Sequence, residues 1–119
     1  CNYLNSKNIL PVLIGSFDDK SSIEIISKGA INVLNLYNLS PLNHIYQISQ
    51  KAIGALSNDT GPAHLIAASG CKVHLIISSF SNPQTVLPQG TNVTFSQKKE
   101  INEILPENII NKLKVIFSI

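Results

Sequence analysis

The sequence of 119 residues contains no methionine and few charged residues, and its two cysteines are isolated. The spacing of Cys1 and Cys71 excludes a CxxC redox pair, and two thiols are too few for a disulfide scaffold. No apolar run approaches the roughly 18 residues that span a bilayer, and residues 1–7 do not resemble a signal peptide. We therefore expect a cytoplasmic protein. The absence of methionine even at position 1 leads us to expect a fragment or a truncated reading frame.

The charge pattern excludes further classes of function. The net charge is +2 and the lysines are scattered, so no basic stripe would follow a nucleic acid backbone. The sequence has no Asp-x-Asp triplet, and Asp18 and Asp19 are adjacent, so we expect neither a metal ion nor another cofactor. With 44% hydrophobic residues, residues 1–119 are long enough for one globular domain and too short for a two-domain enzyme.

Short apolar runs alternate with stretches of helical periodicity along the whole chain. Strands are predicted at residues 9–15, 31–36, 53–56, 73–77 and 93–95. Helices are predicted after Ser21, where Glu24 would complete a capping box, from Ser40 and Pro41 onward, over residues 63–69, and from Pro106. A loop is predicted over residues 78–92. This alternation indicates an α/β fold with a Rossmann-like parallel sheet and helices on both faces.

The turn between the third strand and its helix carries the most informative residues. In parallel α/β sheets, ligands bind beyond the carboxyl ends of the strands, where helix N-termini favour anions. Thr60 can cap the helix, and Gly61 permits close approach of a ligand to the backbone. The backbone N–H groups of Gly61, Ala63 and His64 could hold a diphosphate, and the His64 ring could donate a further hydrogen bond. A simpler interpretation is that Asp59 and Thr60 only cap a core helix, with His64 partly buried beside it.

These residues also resemble the signature of a known family. The stretch Asn-Asp-Thr-Gly-Pro-Ala-His-Leu at 58–65, continued by Ala-Ala-Ser-Gly at 67–70, is similar to the D-T-G-P-x-H-L-x-A-A-x-G signature of glycosyltransferase family 9, the ADP-heptose:lipopolysaccharide heptosyltransferases. Weaker similarities before and after the motif extend the resemblance over nearly the whole chain. The family usually has a proline after Gly70 and a Phe-Gly turn after the fourth strand, and this sequence has neither.

The resemblance implies a GT-B fold, in which two Rossmann-like domains face a cleft and the carboxyl-terminal domain holds the ADP-sugar. The chain would be part of that second domain, without its first strand and helix and without the acceptor domain. Asp59, Thr60, Gly61 and His64 would contact the nucleotide sugar, and no catalytic residue would be present. The donor would be an ADP-heptose-like sugar, and an inverting enzyme of lipopolysaccharide core synthesis would transfer it to a lipid-linked saccharide bound by the absent domain.

Two other interpretations stay open at this point. The chain could be a non-catalytic remnant of a degraded glycosyltransferase gene, or an unrelated nucleotide-binding α/β module that shares only the phosphate-binding helix terminus. The resemblance also leaves open a peripheral association of the full enzyme with the inner membrane. By itself the chain is not expected to transfer sugar.

Overall fold

The computed structural model describes residues 1–119, apart from the side chain of Val86. The chain divides into two compact units, Cys1–Pro41 and Leu42–Ile119, which we call unit 1 and unit 2. All strand pairs are parallel, which confirms the predicted α/β class with parallel sheets. That residues 1–119 form a single domain stays a prediction.

Unit 1 contains a two-stranded parallel sheet and two helices. Its elements are α1 (Asn2–Ser6), β1 (Val12–Leu13), a 3₁₀ turn (Phe17–Asp19), α2 (Lys20–Gly29) and β2 (Leu34–Asn35). Both strands lie where the sequence predicts them, but each is only two residues long. The helix predicted after Ser21 begins at Lys20, and the structure adds the short α1.

The predicted capping box at Ser21 and Glu24 is wrong, because Ser21 already lies inside α2. The structure instead has a capping box around the preceding 3₁₀ turn. The Ser16 N–H and hydroxyl both donate to Asp19 Oδ2, at 2.9 and 3.4 Å. The helical path therefore starts at Ser16, one turn earlier than the sequence pattern suggests.

Asparagine side chains tie α1 to the turn that follows α2. Asn2 Nδ2 donates to the Gly29 carbonyl at 3.1 Å, and Asn2 Oδ1 accepts the Ile31 N–H at 3.0 Å. Asn5 bonds both the carbonyl and the N–H of Asn32, at 2.8 and 3.0 Å. The side-chain amides of Asn2 and Asn5 thus each donate a hydrogen bond to the backbone and accept one from it, as the backbone of a neighbouring strand would.

Unit 2 contains a three-stranded parallel sheet in the order β3-β4-β5. Its elements are α3 (Leu42–Lys51), β3 (Ala55–Asn58), α4 (Gly61–Ala68), β4 (Val73–Ser78), α5 (Pro83–Val86), β5 (Val93–Lys98), a 3₁₀ turn (Ile101–Glu103) and α6 (Pro106–Ile116). The helices predicted from Ser40 and Pro41 onward, over residues 63–69 and from Pro106 are confirmed, although α3 begins at Leu42 and α4 starts two residues early. Three predictions need correction: β3 begins and ends two residues late, β5 is three residues longer, and α5 lies within the predicted loop.

The central strand β4 is buried on both faces, which explains why its sequence is a continuous apolar run rather than an alternating one. Val73, Leu75 and Ile77 are at most 1% exposed on one face, and His74 is fully buried on the other. Ala63, Ile66 and Ala67 of α4 are also buried. The sheet that carries the predicted site therefore rests on a packed core.

The buried His74 is satisfied by two hydroxyl groups of β5. Its Nδ1 lies 2.7 Å from Thr94 Oγ1 and its Nε2 lies 2.8 Å from Ser96 Oγ. The Thr94 hydroxyl also lies 3.4 Å from the Val73 carbonyl, so both ring nitrogens of His74 have a hydroxyl partner on β5 in either neutral tautomer. Burial lowers the pKa of His74, and the ammonium of Lys112 lowers it further. A neutral imidazole therefore links the two strands.

Two close contacts anchor the carboxyl end of α6, one with Lys72 and one with Gly54. Lys72 Nζ donates to the Ile116 carbonyl at 3.1 Å, which places a positive charge at the carboxyl end of α6. A Cβ on Gly54 would clash with the Phe117 ring, so this ring packs directly on the glycine backbone. Among the residues that the structure describes, no helix is long and apolar enough to cross a membrane.

Candidate functional site

The predicted site residues lie together where β3 meets α4. β3 ends at Asn58 and α4 begins at Gly61, so residues 58–61 form the β3–α4 turn at the carboxyl edge of the unit 2 sheet. Asp59, Thr60 and Gly61 all belong to this turn, and Gly61 is also the first residue of α4. His64 follows in the first turn of the helix. This is the kind of strand-to-helix connection at which parallel sheets bind ligands.

Thr60 occupies the N-cap position of α4 but does not cap it with its side chain. Its backbone is extended, and its side chain makes no hydrogen bond to the helix. The hydroxyl lies 3.5 Å from Ser57 Oγ instead. The expected side-chain cap at Thr60 is therefore wrong, and this helix N-terminus keeps its positive partial charge without a side-chain acceptor.

The backbone amides of the turn are partly engaged. The Ala63 N–H donates to the Thr60 carbonyl at 3.1 Å, so one of the three amides expected to hold a diphosphate already has an acceptor. Pro62 has no N–H, and the Gly61 N–H has no acceptor among the described residues. A Cβ on Gly61 would have nothing within 4 Å, so space is open next to this amide. A ligand atom could approach the backbone there.

All four predicted site residues, Asp59, Thr60, Gly61 and His64, are exposed, whereas Ala63 between them is buried. The helix start is thus anchored by Ala63 and presents its neighbours to solvent. The simpler interpretation, in which this turn only caps a core helix, required a partly buried His64 and a capping side chain at Thr60. In the structure His64 is exposed and the Thr60 side chain does not cap α4.

The dipole of α4 is the positive feature of this turn, and the carboxylate of Asp59 is a negative one. No acidic residue lies in the first turn of α4, and Asp59 just before the helix is the nearest carboxylate in sequence. Among the described residues, no three His, Cys, Asp or Glu side chains come together as they would around a metal ion. The free N–H of the turn could donate a hydrogen bond to an acceptor such as a phosphate oxygen. We assign no side chain of the turn to acid–base chemistry.

A second segment at the same edge of the sheet lies within the loop that the sequence predicts over residues 78–92. Residues 78–82 connect β4 to α5 and form what we call the β4–α5 turn. Phe80 within it is 81% exposed. In the sequence, the one sign of this exposed ring was a phenylalanine surrounded by serines and an asparagine. Loop composition alone does not reveal whether an aromatic side chain folds inward.

Comparison with known proteins supports the fold. No protein-family model matches the chain, and no curated protein matches its sequence. A crystal structure of the glycosyl transferase family 9 from Veillonella parvula DSM 2008 has a TM-score of 0.86 and 16% sequence identity, over 98% of this chain. The chain spans 39% of the length of that structure. It therefore shares the fold of part of a glycosyltransferase of the family whose signature its sequence resembles.

Proposed function

We propose that this chain is the nucleotide-sugar-binding part of an inverting glycosyltransferase and that the β3–α4 turn binds the donor's diphosphate. One observation carries the proposal. The family-like motif at residues 58–70 forms an exposed helix N-terminus without a side-chain cap, at the carboxyl edge of a parallel sheet. The fold shared with a family 9 structure supports the same conclusion over an unrelated nucleotide-binding module.

The chemistry of the turn suits a diphosphate. The Gly61 N–H and the dipole of α4 favour negative charge, and the open space beside Gly61 lets a phosphate oxygen approach the amide. The exposed His64 ring can donate one hydrogen bond to the same group. In an inverting transfer, the nucleotide diphosphate departs as the acceptor hydroxyl attacks the anomeric carbon. These groups would stabilise the charge that develops on the leaving diphosphate.

We propose an ADP-heptose-like donor and a role in lipopolysaccharide core synthesis, on the resemblance of the motif. No residue of this chain is proposed as the base that deprotonates the acceptor. Because the chain spans 39% of the matching structure, we propose that the base and the site for a lipid-linked acceptor belong to the rest of such an enzyme. The substrate-binding residues of this chain are Asp59, Thr60, Gly61 and His64.

Titration with ADP, followed by NMR of the 119-residue chain, tests the proposal. We expect shifts at the Gly61 amide and at the His64 amide and ring at millimolar ADP or below. Gly61→Ala should weaken binding, because its new methyl group would fill the open space beside the amide. Gly29→Ala is a matched control, since a Cβ at this helical glycine also meets nothing within 4 Å.

A second pair of variants tests the histidine. His64→Ala should weaken ADP binding, and His44→Ala, which alters another exposed histidine in unit 2, should not. The absence of any response at millimolar ADP in a folded sample would refute the proposal. So would equal weakening by the Gly29 and Gly61 substitutions.

A further inference from the structure

The β4–α5 turn carries an exposed aromatic ring at the same edge of the sheet as the proposed diphosphate site. β4 is the neighbour of β3 in the sheet, so the connections that leave their carboxyl ends are adjacent. Asn58 at the end of β3 pairs with Ile76, and β4 continues for two more residues to Ser78. At about 3.3 Å per residue, the β4–α5 turn starts roughly 7 Å farther along the strand direction than the β3–α4 turn.

Four hydrogen bonds tie the backbone of this turn to itself and to β5. The Ser81 N–H donates to the Ser78 carbonyl at 3.2 Å, and the Ser79 N–H donates to the Lys98 carbonyl at 2.8 Å. Gln97 Nε2 on β5 donates to the carbonyls of Ser78 and Ser81, at 2.9 and 3.1 Å. The ring between these residues is therefore carried on a fixed backbone.

Phe80 is the most exposed of the three phenylalanines in unit 2. Its side chain is 81% exposed, compared with 40% for Phe95, while Phe117 packs on Gly54. A turn whose backbone is already tied by hydrogen bonds needs little further backbone ordering when a ligand covers its ring, and the apolar faces of the ring gain when a flat ligand removes them from water. Such a ring is a suitable platform for a base, because aromatic side chains stack on any nucleobase.

We infer that Phe80 stacks on the nucleobase of the nucleoside diphosphate whose phosphates occupy the β3–α4 turn. This inference rests on the proposed function, and it assigns the base-binding part of the same site. The offset between the two turns is on the scale of the ribose that joins a base to its diphosphate. Inorganic pyrophosphate would therefore bind at the β3–α4 turn without contacting Phe80.

Fluorescence provides a direct test, because the chain contains no tryptophan. Phe80→Trp should be quenched by ADP and should not respond to inorganic pyrophosphate. Val115→Trp is the matched control, since Val115 on α6 is 80% exposed, and its fluorescence should not change with either compound.

Affinity measurements separate stacking from general apolar contact. Phe80→Leu should weaken ADP binding about tenfold, which corresponds to about 1.4 kcal/mol, and should leave pyrophosphate binding unchanged. Phe80→Tyr should retain the wild-type affinity for ADP, because the ring is kept. Circular dichroism should show the same fold for all variants, since the side chain is outside the core.

The outcomes distinguish this inference from the proposed function. Wild-type ADP affinity in Phe80→Leu, with shifts still seen at Gly61 and His64, would overturn the stacking and leave the diphosphate site intact. Equal weakening of ADP and pyrophosphate binding would also overturn it. If neither compound binds to the wild-type chain, the proposed function and the stacking both fail.

Discussion

The two units of this chain are stabilised in different ways. Proline apart, eleven described hydrophobic side chains are buried, and ten of them lie in unit 2, with Ile23 alone in unit 1. Each unit exposes eight large hydrophobic side chains, although unit 1 has about half as many residues. Unit 1 depends on the hydrogen bonds of Asn2 and Asn5, whereas unit 2 depends on a packed core. Packing thus supports the unit that carries the proposed site, and unit 1 buries too little apolar surface to be stable by itself.

The largest effect is expected from truncation in the core of unit 2. Leu75 is 1% exposed at the centre of β4, so Leu75→Ala should lower the free energy of unfolding by about 2–5 kcal/mol. Urea unfolding measures the loss, and hydrogen exchange locates it. Ile23→Ala should leave the protection of the β4 amides unchanged. Equal loss of that protection in both variants would mean that the two units unfold together, contrary to the comparison.

The next effect concerns the buried histidine of unit 2. His74→Leu removes the partners of the Thr94 and Ser96 hydroxyls, so it should cost about 1–3 kcal/mol at neutral pH. Urea unfolding at pH 7.5 measures it. His44→Ala, which alters an exposed histidine, should behave like the wild type.

The same histidine predicts a pH dependence with a definite sign. The folded-state pKa of His74 is lowered, so the unfolded chain binds this proton more readily. Its stabilising contribution is complete above about pH 6.5, the ordinary pKa of histidine, and is lost as the pH falls toward the folded-state pKa. The wild type should therefore lose stability between pH 7.5 and 5.5, and His74→Leu should lose less. A constant difference between the two proteins at both pH values would contradict the assignment.

An effect of similar size is expected where Phe117 packs on Gly54. Gly54→Ala would place a methyl group against the ring and force it aside, at a cost of about 1–3 kcal/mol. Gly61→Ala, with open space around its Cβ, should leave the unfolding free energy nearly unchanged. In a Phe117→Ala background the cost of Gly54→Ala should disappear, and its persistence there would show that the ring is not the cause.

The smallest effect belongs to the polar contacts of unit 1. Asn5→Ala removes an exposed pair of hydrogen bonds to Asn32, so its cost should not exceed about 1 kcal/mol. Hydrogen exchange should show faster exchange of the Asn32 amide and no change in β4. Slower or unchanged exchange at Asn32 would show that the side chain does not hold this turn.

Much of the fold could be predicted because its signals are local. The apolar run at 73–77 and the helical spacing from Pro106 depend on near neighbours in sequence, and both elements are found there. The ends of strands were predicted less well. β5 extends to Lys98 because Ser78 and Ile77 pair with its last residues, and those partners lie about twenty positions earlier.

The β3–α4 turn was predicted in position but not in detail. The motif at 58–65 identified an exposed turn, yet Thr60 does not cap it, and the Ala63 amide is already bonded. The sequence also gives no sign of the partners of His74, since Thr94 and Ser96 become its neighbours only when β4 and β5 pair. Whether Phe80 turns inward or outward was likewise not encoded in the composition of its loop.

The sequence by itself determined the alternation of strands and helices and the place of the motif at residues 58–70, because periodicity and turn chemistry act over a few residues. Only the tertiary structure decided which side chains are buried, which amides are free, and that the core lies almost wholly in unit 2. Those properties depend on strand pairing and packing between residues far apart in the chain, where a local pattern carries no information.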